Sequence, residues 1–276
     1  MKRSLLALCL LSPTALACDT SHLPLSGVVT VETCHVPDSP DCVYSGRALH
    51  EYLDAIPDTD ALFSVGLHSS PWRMYDGEMR ILTAEDLADA IRPKLREKKW
   101  EAVELIGSWT GISPAPGVPS LADRVSNALD GFPVRGEDGF LWLAQDGTRR
   151  TTHQALTMFE GGGAYLIPKG SEVLAPLAAG WPAFVEDRIS EDDAELLMRA
   201  AAGWDVFFLC PEKALAGFER AAAKGSAIGA YNAALMRLER SAEGDRAAAL
   251  ALLERGAALS DAKSKARLEA ERLRGK

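Results

Sequence analysis

The sequence predicts an α/β fold with a mostly parallel sheet and flanking helices, followed by a short all-α helical repeat segment. Two observations predict this fold class. Between residues 26 and 136, short apolar runs of strand length alternate with segments of helical periodicity, an order typical of a parallel sheet covered by helices. Near the C-terminus, residues 214–227 recur as residues 249–262, and a repeat period of 35 residues is typical of stacked helix pairs.

The first seventeen residues have the features of a secretory signal peptide. Two basic residues precede the apolar run Leu5–Leu11, and Ala15 and Ala17 form the small-x-small pattern of a cleavage site. We therefore expect export to the periplasm or cell envelope, with a mature chain that begins at Cys18. No later segment reaches the roughly 20 apolar residues that a membrane-spanning helix needs, so we expect no transmembrane segment.

Cleavage of the signal leaves four cysteines, and an even count in an exported chain favours disulfides. Cys34 and Cys42 bracket a short loop and are the predicted bridge. Cys18 has two alternative fates. The segment before it resembles a bacterial lipoprotein signal, which ends before a Cys and implies a lipid anchor; otherwise Cys18 is available to pair with Cys210. Since no CxxC or HxxxH spacing occurs, we predict no metal site and no cofactor.

The α/β segment is predicted to contain four strands joined by three helices. The helices are expected to begin at Ser45, Thr83 and Ser120. The last two precede an acidic residue at the third helical position, as in a capping box, and each segment has an apolar face. The predicted strands are the apolar runs Val28–Val31, Ala61–Leu67, Ala102–Ile106 and Phe132–Arg135.

A hairpin follows the last of these strands. Residues 140–144 and 148–152 are predicted to pair around Asp146-Gly147, a dipeptide that favours tight hairpin turns. Residues 168–189 contain three prolines and are expected to be irregular.

A further helix is predicted after this connector, capped by Ser190 with Asp193 and ending at about Ala202. These boundaries divide the chain into a signal peptide at residues 1–17, an α/β domain at 18–189 and a helical segment at 190–276.

Charge is unevenly distributed along the chain. The whole sequence has a net charge of −9, whereas residues 212–276 carry 13 Lys and Arg against 9 Asp and Glu. An acidic body argues against binding to nucleic acid, and the basic tail is most simply a solvated helical face. We therefore expect no nucleic acid as a partner. The expectation of a protein or peptide partner comes instead from the 35-residue repeat, since stacked helix pairs usually bind other proteins.

Two residues are candidates for chemistry. His68 directly follows the predicted strand Ala61–Leu67, and Ser108 follows the predicted strand Ala102–Ile106. The carboxyl ends of parallel strands lie at one edge of a sheet, so neighbouring strands would bring the two side chains together. A base beside a hydroxyl nucleophile is the minimum equipment for acyl transfer.

The segment around these residues resembles the caspase-like fold, and most closely its CHAT branch. The resemblance rests on a strand that ends at His68, the segment Ile81–Leu87 at the next helix, and Gly107–Gly111 after the following strand. It implies that His68 is the general base, that Ser108 stands at the position of the family's catalytic Cys, and that Thr110 belongs to the turn after it. Because Ser replaces Cys, the resemblance implies a degenerate site kept as a scaffold or peptide-binding cleft. A working Ser/His hydrolase is the alternative.

Aromatic, charged and polar side chains beside these positions are candidate binding residues. Trp72, Arg73 and Tyr75 lie in the segment after the histidine, and Trp109 and Thr110 follow the serine. Trp, Arg and Tyr are the residue types favoured at protein–protein hot spots. Packing of Trp72 into the core is an equally open alternative.

The C-terminal repeats resemble the Sel-one-like repeat, a relative of the tetratricopeptide repeat. The resemblance rests on Ala214-Leu215, Phe218–Ala222, Lys224-Gly225 and Ala230–Ala234, and it implies a protein-binding scaffold. Two units are fewer than the roughly three that a free solenoid needs. We therefore expect the helices to pack on the α/β domain, with the helix at 190–202 as a cap. Pairing with a second chain and a plain helical extension are the alternatives.

Together these features predict an exported, non-catalytic protein–protein interaction module. The first alternative is a peptidase or esterase that uses Ser108 and His68. The second is an immunity protein against an exported toxin, which fits the compartment and the repeats although no residue favours it.

Overall fold

The structure, a computed structural model, describes residues 18–31, 40–158, 166–174 and 193–274. The predicted signal peptide and Cys34 lie outside the described residues, and with them the predicted Cys34–Cys42 bridge. Within the described residues, the layout is a mixed α/β part followed by five helices, which confirms the coarse prediction.

The elements are numbered in chain order. The strands are β1 (Val28–Val31), β2 (Cys42–Tyr44), β3 (Leu62–Gly66), β4 (His68–Ser69), β5 (Met74–Tyr75), β6 (Ile81–Leu82), β7 (Ala102–Ile106), β8 (Val134–Gly136), β9 (Phe140–Leu143), β10 (Arg149–Thr152), β11 (Ala155–Met158), β12 (Leu166–Pro168) and β13 (Val173–Leu174). The helices are α1 (Ser45–Asp54), α2 (Ala84–Ile91), α3 (Leu121–Ala128), α4 (Ala194–Val206), α5 (Pro211–Ala223), α6 (Ala227–Arg240), α7 (Asp245–Ala258) and α8 (Ala262–Arg274).

A parallel sheet organises the α/β part. It has the order β3-β7-β8, and Leu62 lies opposite Ala102. Successive side chains of a strand point to opposite faces. Val103 and Leu105 accordingly pack in one core with α2 and α3, whereas Ile106 belongs to a second core with α1. Helices therefore cover both faces, as the alternating order predicts.

The first predicted strand is not part of this sheet. β1 instead pairs in parallel with β11, where Val28 lies opposite Ala155. The prediction of four strands in one sheet is therefore wrong for β1. Hydrophobic periodicity identifies a strand but not its partner. Here, backbone hydrogen bonds from Ser26 to His153 and from Ala155 to Gly27 hold β1 beside β11.

A short antiparallel sheet, β4-β5-β6, occupies the segment after β3. The sequence did not predict it, because strands of two residues are too short to show a hydrophobic period. Four backbone pairs join the three strands, among them His68 with Tyr75 and Tyr75 with Ile81.

Local signals placed two helix starts and the hairpin correctly. The Thr83 hydroxyl accepts from the Asp86 N–H, and the Asp86 carboxylate accepts from the Thr83 N–H, both at 3.0 Å. Ser120 and Asp123 form the same capping box at the start of α3. The predicted hairpin is present as the antiparallel pair β9 and β10.

The helical part begins with α4, whose N-cap is Asp193; its carboxylate accepts from the Leu196 N–H at 3.0 Å. Ser190 lies outside the described residues. The helix continues to Val206, beyond the predicted end at Ala202, because the additional turn carries buried side chains, among them Val206.

Small residues let consecutive helices approach closely. A Cβ added to Gly217 of α5 would lie 2.8 Å from the Cβ of Ala201 in α4. A Cβ added to Gly256 of α7 would lie 2.3 Å from the Ser264 Oγ in α8. Glycine is therefore required at these two contacts, which explains the small residues of the repeat pattern.

The helices pack on the α/β part, as expected for so short a repeat. Tyr75, Met79 and Ile81 share one core with residues of α4, α5, α6, α7 and α8. The Asn232 side chain of α6 accepts from the Ile81 N–H at 2.9 Å and donates to the Met79 carbonyl at 2.8 Å. Both bonds are buried, so they fix the position of α6 on this segment.

A disulfide joins Cys18 to Cys210, with Cα atoms 4.8 Å apart. Two alternatives were predicted for Cys18, a lipid anchor and a disulfide with Cys210, and the structure contains the disulfide. The Sγ atom in this bond is not available for a lipid thioether.

None of the helices in the described part of the chain combines the length and hydrophobicity needed to cross a bilayer.

Candidate functional site

Ser108 follows β7 and is fully buried. Its hydroxyl oxygen accepts from the Leu141 N–H at 2.9 Å, and its carbonyl accepts from the Ser69 hydroxyl at 3.0 Å. A Cβ added to Gly107 would lie 2.3 Å from the Ser69 Oγ, so the chain passes this point only with glycine. These contacts give Ser108 a structural role: it ties the end of β7 to β9.

His68 opens β4, and 6% of its surface is exposed. It pairs with Tyr75 of β5 through the backbone. The reactive His68–Ser108 pair stays a prediction; in this conformation the Ser108 side chain is fully buried.

Trp109 and Thr110 are also inside the protein. The Trp109 ring packs edge-on against Phe140 at 5.2 Å and stacks on His153 at 6.0 Å between centroids. The Thr110 hydroxyl donates to the Leu105 and Gly107 carbonyls, at 3.1 and 3.0 Å. Both residues, predicted to bind a partner, instead hold the turn after β7 in place.

Arg73 and Tyr75 bind the helical part of the same chain. Arg73 is 5% exposed, and its guanidinium contacts Asp205 of α4 at 2.6 Å and Glu239 of α6 at 2.5 Å. Asp205 also accepts from the hydroxyls of Ser70 and Tyr75, each at 2.7 Å. A buried polar network therefore joins β5 to two helices.

The environment shifts two acids of this network. Burial raises the pKa of Tyr75 well above its ordinary range, and the negative charge of Asp205 adds to the rise. Burial also raises the pKa of Asp205, although Arg73 and the hydrogen bonds from Ser70 and Tyr75 oppose the rise. The sequence signal that could have revealed the network is Asp205 itself, an acidic residue in the apolar stretch Trp204–Phe208.

A groove of about 640 Å³ lies where the α/β part meets the helical part. Its walls come from α2, α3, α6 and α8, and from the residues around β6. The apolar part of its surface includes Trp72, Ile81, Leu121, Leu235 and Leu238. Of the predicted binding residues, Trp72 and Arg73 line this groove.

Arg124 of α3 also lines the groove. One terminal nitrogen lies 3.7 Å from Glu239, and the other donates to the Trp72 carbonyl. Its Nε–H is buried without a hydrogen-bond partner among the described residues. Burial lowers the pKa of Arg124, against the opposing effect of Glu239.

A second cavity of about 420 Å³ continues from the groove, and the two share Leu238, Arg267 and Arg274. Four of the eight residues that line it are arginines, and one, Glu271, is acidic. Neither cavity could be predicted from the sequence, because both form between elements that are far apart along the chain. The excess of basic residues in the tail was the available signal.

No group of three or more His, Cys, Asp or Glu side chains in the described residues is arranged to hold a metal ion.

A family model described as "Domain of unknown function (DUF8616)" matches residues 39–151. The match covers the parallel sheet, α1, α2, α3 and most of the β9–β10 hairpin, and it stops before the helical part. No curated protein and no solved structure matches the chain significantly.

Proposed function

We propose that this protein is a non-catalytic protein-binding module of the bacterial cell envelope, and that a peptide segment of its partner binds in the groove. One observation carries the proposal. The groove of about 640 Å³ is open between the α/β part and the helices, whereas Ser108, the candidate nucleophile, is fully buried. A ligand could therefore reach the groove, whereas the Ser108 hydroxyl is not accessible in this conformation.

The shape and composition of the groove support a peptide ligand. Its lining contains both polar groups and apolar side chains such as Leu82 and Leu238, so a peptide could bury apolar side chains and still pair its polar atoms. α2, α3, α6 and α8 form its walls, and sites on regular elements hold their geometry better than sites on loops.

We also propose that the α/β part is caspase-like and that the helices are Sel-one-like repeats. The parallel neighbours β3 and β7, with α2 between them along the chain, are consistent with the first assignment. The consecutive contacts from α5 to α8 are consistent with the second. In this proposal the caspase-like cleft no longer serves catalysis, and the repeats supply one wall of the binding site.

Export is part of the proposal. The basic and apolar start of the sequence favours it, and the Cys18–Cys210 disulfide is a bond that persists in oxidising compartments.

The test places a photo-crosslinking amino acid in the groove. Ala128 of α3 lines the groove and is partly exposed. In cells of the producing bacterium, a photoreactive residue at position 128 is expected to give one discrete adduct with an envelope protein. The matched control is the exposed helical alanine Ala251 of α7, which lies outside the groove and is expected to give no such adduct.

Two outcomes would contradict the proposal. Identical adducts from positions 128 and 251 would show that the groove is not the contact. Labelling of the purified chain by a fluorophosphonate probe, lost in Ser108→Ala, would show that Ser108 is a nucleophile and that the protein is a hydrolase.

A further inference from the structure

The arginines beside the groove are concentrated around a single carboxylate. Glu271 of α8 is 3% exposed, and it lies 3.1 Å from Arg246, 3.0 Å from Arg267 and 3.1 Å from Arg274. Three guanidinium groups thus share one negative charge, which leaves a local excess of two positive charges.

Several neighbouring arginines are paired within the chain, and the groove is also lined by the acidic residues Glu85 and Asp89. Arg237 also lines the second cavity, but it pairs with Glu219 at 2.5 Å and with Asp245 at 2.8 Å. In the groove, Arg73 and Arg124 are offset by Glu239 and the buried Asp205. The excess positive charge is therefore confined to the Glu271 end of the two cavities.

Two of these three arginines have exposed heads. The side chains of Arg246 and Arg274 are 49% and 65% exposed, so a ligand in the second cavity can reach them. Arg267 stands at the junction of the two cavities, and its Nε–H has no hydrogen-bond partner in the described structure. This nitrogen is buried, and the Arg267 side chain as a whole is 24% exposed.

From this charge pattern we propose that the partner segment is an acidic peptide. Its apolar side chains occupy the groove, and at least two of its carboxylates bind Arg246, Arg267 and Arg274 in the second cavity. Arginine suits this role because its planar fork binds carboxylates in a bidentate manner. The chain as a whole has a net charge of −9, so long-range forces repel an acidic partner, and the local excess must supply the attraction. This inference rests on the proposed function and specifies the partner of the same site.

The experiment titrates the exported chain with two labelled peptides of equal length and follows fluorescence anisotropy. One peptide contains leucine and glutamate, and the other contains leucine and glutamine. We expect the glutamate peptide to bind at least about tenfold more tightly at low salt, and to lose this advantage at high salt because ions screen exposed charges.

Matched variants locate the contact. Arg246→Gln with Arg274→Gln is expected to weaken binding of the glutamate peptide about tenfold and to leave the glutamine peptide unaffected. The control is Arg272→Gln, also on α8, whose side chain is 56% exposed, pairs with Glu254 and does not line either cavity. Arg274→Gln alone keeps the test valid if the double variant folds poorly, because its head is largely in solvent.

Equal binding of both peptides, or equal effects of Arg274→Gln and Arg272→Gln, would overturn the inference. If position 128 crosslinks a partner but the glutamate peptide shows no preference, the inference is wrong and the proposed function stands. If position 128 also gives no adduct, the groove is not a binding site and both are wrong.

Discussion

At the scale of single residues, Asp205 is the centre of the contact between the two parts of the chain. Its side chain is fully buried and accepts from Arg73, Ser70 and Tyr75. Moving the charges of Arg73 and Asp205 out of water costs free energy, so this buried ion pair is by itself weak evidence of net stability. Removing one partner, however, leaves the other charge buried and unpaired. The network therefore favours the observed packing of α4 against β5, because any other packing would leave a buried charge without a partner.

Asp205→Asn is expected to lower the free energy of unfolding by about 3–5 kcal/mol, because the charge of Arg73 then loses its fully buried partner and keeps only Glu239, which is partly exposed. Urea unfolding followed by far-UV circular dichroism measures the change. The matched control is Glu172→Gln, which breaks the Arg150–Glu172 pair. Its side chains are 54% and 39% exposed, and exposed pairs contribute at most about 1 kcal/mol. Equal losses of unfolding free energy in Asp205→Asn and Glu172→Gln would mean that burial does not make the Asp205 contacts more important for stability than an exposed ion pair.

At the scale of elements, the sequence predicted the features that depend only on neighbouring residues. The capping boxes at Thr83 and Ser120 and the turn at Asp146-Gly147 need only neighbouring residues, and all three were found where the sequence indicated. The partner of β1 and the burial of Arg73 were not predictable in this way. Both depend on residues more than a hundred positions away, and hydrophobic period and residue type carry no information about such contacts.

The candidate site also depends on contacts between residues that are distant in the sequence. A loop rich in Trp, Arg and Tyr was expected to bind a partner, and the structure turns Arg73 and Tyr75 inward while Trp72 lines the groove. Residue type alone could not separate these outcomes, because the same side chains suit an internal contact and an external one. The composition of the tail did indicate an excess of positive charge, but not that three arginines converge on Glu271.

The turn between α6 and α7 is held by one carboxylate. Asp245 is fully buried and accepts from Arg240 at 2.6 Å, from Arg237 at 2.8 Å and from the Ala242 N–H at 2.9 Å. The hydrogen bond from Arg240 is the largest cause that lowers the pKa of Asp245 far below its ordinary value; burial opposes the shift, and the bonds from Ala242 and Arg237 reinforce it.

This lowered pKa predicts a dependence of stability on pH. Because the folded chain holds the ionised form, the contribution of Asp245 is fully present above the unfolded pKa of about 4, and it is lost as the pH falls towards the lower folded pKa. Unfolding free energies measured between neutral and acidic pH should therefore fall less steeply in Asp245→Asn than in the original chain. Glu243→Gln, an exposed carboxylate in the same turn, is expected to leave the slope unchanged. Parallel curves for the original chain and Asp245→Asn would contradict the assignment.

At the scale of the whole molecule, the two parts are joined at several places. One core contains residues of β5, β6 and all five C-terminal helices, and Arg80 pairs at 2.7 Å with Asp261, the residue before α8. The Cys18–Cys210 disulfide adds a covalent link between the start of the described chain and the residue before α5. Since the groove lies between the two parts, its shape depends on these joints.

The disulfide closes a loop with a sequence separation of 192 residues, so it restricts the unfolded chain strongly. Cys18→Ser is expected to lower the free energy of unfolding by about 2–5 kcal/mol. The background for this test is a chain with Cys34→Ser and Cys42→Ser, in which a reducing agent can act only on the Cys18–Cys210 bond among the cysteines that follow the signal peptide. In that background, reduction should produce the same loss as Cys18→Ser and have no further effect on that variant. An unchanged midpoint on reduction, together with a mass increase of a diacylglyceryl group on the first mature residue, would show instead that Cys18 carries a lipid.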